Sequence, residues 1–277
     1  MAAAVLAAVV LFMPLRDWIV PWAADQFFAE SATRTQNAVD DKLDREGDAF
    51  TVSVRDGTES EQTIYTLDRP ITGAERQTLY GLDLRSDEGD RVFENLVTSR
   101  AKKLAYSLEK ADGFSKIWLM DFHSDRDTEL SVIGLRAKNL RCTTASAKVI
   151  FLFPQQGGGV YEGMFFDLPE KDTPTITGSD KNRGKPFFSF KKIDLGGSAT
   201  PGGLRVEVSS GTSDCRWVFE ATYSDSAGTH TQEITNGGEP FAIDGIPAGE
   251  AQRFVVDPGA QPGQRYVIDC AETQTFC

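Results

Sequence analysis

The sequence predicts a mainly β chain. The expected architecture is an antiparallel β-sandwich, with an N-terminal transmembrane helix and a smaller α+β segment before the sandwich. Three observations predict it. Strand-like runs recur from Ser115 onward at roughly ten-residue spacing, separated by Gly-rich turns, as in sandwiches and barrels. Within them Asp214–Asp225 (D-C-R-W-V-F-E-A-T-Y-S-D) places Cys215, Trp217, Phe219, Ala221 and Tyr223 on alternate positions. Arg216, Glu220 and Thr222 take the other face, with Val218 as the one apolar intruder, which is the period of a half-buried strand. Third, the chain opens on an apolar run, Met1–Leu15, continued after Arg16 and Asp17 by W-I-V-P-W-A-A to Ala24.

The elements follow in order. Fifteen apolar residues fall short of the roughly 20 that a spanning helix needs. Counted through Ala24 the length suffices. Trp18 and Trp22 suit an interfacial aromatic belt, Arg16 suits a snorkelling position, and Pro14 and Pro21 are tolerated in such helices. A cleaved signal peptide wants a basic start and a small-x-small site. No Lys or Arg precedes residue 16, and Trp22 stands where a small residue belongs. A buried soluble helix is the other alternative. Residues 1–24 are therefore expected to be a transmembrane anchor, and 25–48, polar and mixed in charge, a juxtamembrane helix or stalk.

Residues 49–114 are expected to form an α+β segment packed on the sandwich. Ala49–Arg55 alternates as a strand, Asp56-Gly57 marks a turn, and Thr63–Leu67 resumes strand character. Thr72, with Glu75 three residues on, predicts a capped helix to Tyr80. Val92, Phe93, Leu96, Val97, Leu104 and Leu108 recur at three- and four-residue spacings, which predicts a helix over Glu88–Leu108. The sandwich is expected over 115–247. Its strands are Lys116–His123, Glu129–Cys142 beyond a polar hairpin turn at Ser124–Asp127, Ala147–Phe153, Val160–Leu168, Phe187–Leu195, Leu204–Ser209, the Cys215 strand, Thr229–Thr235 and Pro240–Ile243. Residues 248–277 read as a C-terminal hairpin or tail, with R-F-V-V and R-Y-V-I flanking D-P-G-A-Q-P-G-Q.

Composition bounds the function. The 277 residues carry Lys plus Arg 29 against Asp plus Glu 41, a net charge of -12. An acidic chain lacks the basic footprint of a general nucleic-acid binder, so no nucleic-acid partner is expected. Four cysteines with no C-x-x-C pair, and only two histidines, argue against a structural zinc site. An even cysteine count beside an apolar N-terminus suits an oxidising compartment, and places the C-terminal body outside the cytoplasm. Cys270 and Cys277 enclose a short loop and are one expected disulfide. Cys142 closes one strand and Cys215 opens the core strand, which makes them the other.

Three stretches carry a resemblance: F-T-V-S-V-R at Phe50–Arg55 with Asp68-Arg69-Pro70, S-D-R-D with E-L-S-V-I-G-L-R at Glu129–Arg136, and D-C-R-W-V-F-E with G-G-E-P-F at Gly237–Phe241. Through them the chain resembles a group of uncharacterised single-pass bacterial membrane proteins with an extracytoplasmic, β-rich, Ig-like sandwich body. The resemblance covers about Ala49 to Ile246. It implies a membrane anchor and carries over no catalytic residue or activity.

The sharpest polar cluster is Asp121, His123, Asp125, Asp127 and Glu129 on alternate positions, a donor set of the kind that holds a divalent ion. It is not an EF-hand, because Leu130 stands where the loop needs Gly and Arg136 where it needs Glu. The competing reading is a solvated turn that binds no ion tightly. There is no G-x-S-x-G, and a triad through His123 or His230 would need partners from distant loops. Gly157–Gly159 precedes a strand, where a phosphate cradle wants a helix N-terminus. Phe165, Phe166, Phe187, Phe188 and Phe190 read as core strand edges, with a carbohydrate platform as the alternative. No catalytic residue and no cofactor is expected. The function expected is a membrane-anchored extracytoplasmic interaction or sensor domain without catalytic activity. Its partners are the membrane, through the N-terminal helix, and a protein. The alternatives are an anchored hydrolase acting on cell-wall or glycan material, and a small-ligand or metal-binding module.

Overall fold

The computed structural model describes residues 47–58, 63–110, 113–153, 163–197, 202–249, 251–261 and 263–273. The anchor expected over residues 1–24 lies outside them, as does most of the stalk. No helix among the described residues is long and apolar enough to cross a membrane. All the elements below belong to one compact unit, Phe50–Cys277.

The body is mainly β, and β4 (Phe114–His123) is its axis. Trp118, Met120 and Phe122 alternate along β4 and are fully buried. On one side β4 pairs antiparallel with β10 (Gly202–Ser209). On the other it pairs with β1 (Thr51–Asp56) over Trp118–His123, and with β3 (Lys102–Tyr106) over Phe114–Ser115. Beyond β10 lies β7 (Gly163–Asp167), parallel to it, and then β8 (Thr175–Ile176). Beyond β3 come β2 (Thr63–Leu67), β6 (Val149–Leu152), β14 (Gln252–Val256) and β15 (Val267–Asp269), with β14 parallel to β6. The expected antiparallel arrangement thus fails at two places, and the sheet is mixed. In both, the parallel partner comes from a distant part of the chain, so no local turn signal announces it.

A second sheet runs β12 (Gly228–Ile234), β11 (Ser213–Asp225), β5 (Leu130–Thr144), β9 (Ile193–Leu195), with β13 (Phe241–Ile243) beside the first half of β11. All its pairs are antiparallel. β5 carries an extra residue at two places, between the partners of Arg216 and Val218 and between those of Thr222 and Tyr223. Asn139, at the first bulge, has φ 57. Asn is one of the few side chains that tolerate this left-handed backbone, and such bulges bend a strand. The two sheets meet through aromatic rings. Trp118 of β4 stands edge-on to Trp217 of β11 at 5.7 Å and to Phe241 of β13 at 5.5 Å, and Phe166 of β7 meets Phe219 at 4.9 Å. Edge-to-face pairing of this kind adds about 1 kcal/mol per pair to the area buried.

The wing around β6 and β14 is covered by two helices. The capping box at Thr72 and Glu75 opens α1 (Gly73–Tyr80) as the sequence predicts. Ser86 caps α2 (Asp87–Leu96), whose first turn holds Asp87, Glu88 and Asp90 against the positive end of the helix dipole. Leu79, Phe93 and Val97 pack on Phe151, Phe254 and Val267. The expected helix over Glu88–Leu108 is corrected, because it ends at Leu96. Thr98 and Ser99 bond back to the carbonyls of Glu94 and Asn95, a competitor of helix continuation. A 3-10 turn follows at Thr98–Arg100, and K-K-L-A-Y then becomes β3 between two partners. Leu104 fits a helical spacing, but as a strand residue it is 1% exposed, and the ladder wins. The strand expected over Phe187–Leu195 shrinks to β9, preceded by a 3-10 turn at Phe187–Ser189.

Ser124–Asp127 is not a hairpin turn either. β4 and β5 belong to different sheets, so the segment is a crossing between them. Arg126 pins it from inside, its Nη1 lying 3.3 Å from Asp225 Oδ2 with both side chains buried. The expected disulfide Cys142–Cys215 is present, joining directly opposed residues of β5 and β11 with Cα atoms 4.1 Å apart. Cys270 is disulfide-bonded as well, while Cys277, expected to be its partner, lies outside the described residues.

Candidate functional site: a cationic cleft between the sheets

At the disulfide end of the body the sheets part to leave a cleft of about 670 Å³. β1, β3 and β4 supply one wall, with Asp56, Lys102, Lys103 and Lys116. The other comes from the end of β5, the start of β11 and β13, with Arg141, Thr143, Asp214, Cys215, Arg216 and Asp244. Local folding explains the placement. The K-K of β3 starts a strand, so its residues fall at the sheet's rim. Arg141 and Arg216 flank the disulfide in sequence, so the register that opposes Cys142 to Cys215 also opposes Arg141 to Arg216.

Two of the three cleft carboxylates, Asp214 and Asp244, tie elements together, while Asp56 is exposed and its Oδ1 accepts from Thr58 N at 2.8 Å. Asp214 Oδ2 accepts from Ser146 N at 3.0 Å and Ser146 Oγ at 2.7 Å, and its Oδ1 accepts from Gly245 N at 2.9 Å. That carboxylate ties the ends of β5 and β13 to β11. Asp244 Oδ1 accepts from Lys102 Nζ at 2.7 Å, and Asp68 Oδ1 is 3.2 Å from the same nitrogen. Burial pulls the Lys102 ammonium down, but its bonds to Asp244 and Asp68 outweigh it and hold its pKa above the ordinary lysine value. Lys116 Nζ sits 5.3 Å from the Trp118 ring centre, a cation–π placement that fixes its stem.

The arginines differ. Arg141 and Arg216 face each other across the ladder and are exposed, and among the described residues neither side chain has a hydrogen bond or ion pair. Like charges directly opposite in a sheet are unfavourable, by roughly 1 kcal/mol at about 5 Å in a water-rich setting. Five cations and three carboxylates line the cleft, in a chain whose net charge is -12. The arrangement can bind an anion.

The residues singled out from sequence lie elsewhere. Asp121 Oδ2 pairs with Arg55 Nη2 at 2.8 Å on the outer face of β1 and β4. His123 Nε2 meets Asp125 Oδ1 at 2.8 Å, and the Asp125 side chain is 90% exposed. Asp127 and Glu129 are exposed on the crossing to β5. Among the described residues no three such groups come together as metal ligands. His230 Nε2 is 3.3 Å from Asp225 Oδ1 and its ring is 5.3 Å from that of Tyr223. Among the described residues neither histidine bonds a serine hydroxyl. Gly157–Gly159 lie outside the described residues. Phe166 and Phe187 are core residues, whereas Phe190 is 51% exposed. Phe187 and Phe188 line a shallower groove of about 390 Å³ with Pro174 and Pro186.

The arginine pair went unnoticed in the sequence. Its signal is R-C at 141–142 and C-R at 215–216. Once those cysteines pair across antiparallel strands, the flanking arginines must oppose one another.

No protein-family model, no curated protein and no solved structure matches the chain.

Proposed function

We propose that the chain is a membrane-anchored, extracytoplasmic recognition domain without catalytic activity. In this reading the body is a two-sheet sandwich, and its binding site is the cationic cleft beside the Cys142–Cys215 disulfide. The observation that carries the reading is the convergence of Lys102, Lys103, Lys116, Arg141 and Arg216 in one cleft of an acidic chain. An overall negative charge repels anions at long range, so a local positive cleft selects where one docks. The anchor is supported by the apolar run Met1–Ala24 with Trp18 and Trp22 at one end. The extracytoplasmic side is supported by the disulfide, a bond that persists in oxidising compartments.

Full-length chain in detergent is to be titrated with poly-glutamate at low and high salt. The reading expects saturable binding that weakens with salt and is lost in a Lys116→Glu/Arg216→Glu variant that still unfolds cooperatively. Binding that survives the double charge reversal would place recognition elsewhere. Carbonate extraction tests the anchor separately: the uncleaved chain should stay with the membrane.

A further inference from the structure

We propose that Arg141 and Arg216 form a clamp for a phosphoryl group, so that the cleft recognises a soluble phosphomonoester. This deepens the cleft reading above and rests on it. The two guanidinium groups come from directly opposed residues, one rung from the Cys142–Cys215 bond, so their stems cannot drift apart along the ladder. Among the described residues no carboxylate engages either. The nearest acid in sequence, Asp214, already accepts three hydrogen bonds from Ser146 and Gly245. Two cations held opposite one another are a strained arrangement that a shared anion relieves.

The geometry of the donors selects the anion. A guanidinium presents a planar fork of N–H groups that matches two oxygens. A carboxylate has two oxygens in one plane and is saturated by one fork. A phosphomonoester offers three terminal oxygens in a tetrahedron and close to two charges near neutral pH, so two forks can engage it at once. Lys116, on the facing wall, lies in the same cleft for the rest of the ligand. No bond is made or broken.

The experiment is calorimetric titration of the full-length, detergent-solubilised chain with glycerol phosphate and, as a dianion lacking a phosphoryl group, succinate. Arg141→Gln, Arg216→Gln and, as a control outside the cleft, Arg55→Gln are compared with the parent. The expected result is glycerol phosphate binding at least about ten-fold tighter than succinate, as hydrogen bonds to charged groups predict. That affinity should fall by about the same factor in each cleft variant and hold in Arg55→Gln. The unfolding midpoint of the parent should rise more with glycerol phosphate than that of either cleft variant at the same concentration. Equal affinity for the two dianions, or binding indifferent to both cleft substitutions, overturns the clamp. If poly-glutamate binds and glycerol phosphate does not, the clamp is wrong and the recognition cleft stands. If none of these anions binds, both fall.

Discussion

Removing the Cys142–Cys215 bond should destabilise the body by an amount that the chain length between the cysteines sets. They are 73 residues apart. The loop-entropy relation then gives about 4 kcal/mol at room temperature, from lost freedom in the unfolded chain. The native side adds little, because β5 and β11 share a long ladder that already brings the two residues together. Substitution is cleaner than reduction, since a reductant would also reach the disulfide of Cys270. Cys142→Ala/Cys215→Ala leaves only a small gap at Cys215, which is 1% exposed. For a domain of this size each kcal/mol is worth roughly 2–4 °C, so the midpoint should fall by about 8–16 °C in scanning calorimetry. A shift below about 2 °C would refute the reasoning. It would mean that the unfolded ensemble already keeps β5 and β11 close, so that the cross-link removes little freedom.

Other outcomes follow from particular contacts. Trp118→Ala removes the ring that joins the two sheets through Trp217 and Phe241, and should cost about 3–5 kcal/mol in urea unfolding. The Arg69 side chain, with the Thr72 backbone N–H, holds the Glu75 carboxyl down at about 2. A lowered acid contributes stability that is complete above its unfolded value near 4.5 and is lost as pH falls toward 2. Glu75→Gln should therefore flatten the acid side of the stability profile by about 1 kcal/mol, the scale of one cap and one partly exposed pair. Burial, and then the bond donated to Glu272 at 2.9 Å, push the Tyr80 hydroxyl up to about 12. The folded state then holds its proton through a range where the unfolded chain loses it. The stability Tyr80 contributes is present below pH 10 and disappears as pH rises toward 12. Burial also raises Tyr106 and Tyr266, so ultraviolet titration should show a late-forming group of tyrosinates, one member of which, Tyr80, forms earlier in Glu272→Gln.

Much of the fold was legible because its signals are local. The alternation of Cys215, Trp217, Phe219 and Ala221 marks β11, and all four are buried. Thr72 and Glu75 announce α1 because a capping box lies within one turn. Signals failed where a partner far along the chain decided the outcome. The spacing of Val97, Leu104 and Leu108 suits a helix, and only pairing with β2 and β4 makes K-K-L-A-Y a strand. Glu220 reads as a solvent-facing residue, yet it is 7% exposed. Arg136 and Lys138 of β5 close over it, with Arg136 Nε at 2.8 Å, and hydrogen bonds from Lys138 and Arg136 keep its carboxyl below the usual range.

The site shows the same division in its sharpest form. Asp121, His123, Asp125, Asp127 and Glu129 look like a ligand set because they are close in sequence. Asp121 and His123 still belong to β4, where Asp121 meets Arg55 of β1, and the chain then crosses between the sheets, which leaves Asp125 in solvent. The cleft cations come from four separate stretches, and nothing about Lys116, Arg141 or Arg216 alone sets them apart from any other surface charge. What unites the arginines is a covalent constraint. Pairing Cys142 with Cys215 fixes the register of β5 on β11, and that register opposes two like charges that no ion pair among the described residues neutralises. Like charges set opposite one another cost stability, and the phosphoryl clamp proposed above would supply the counter-charge that recovers it.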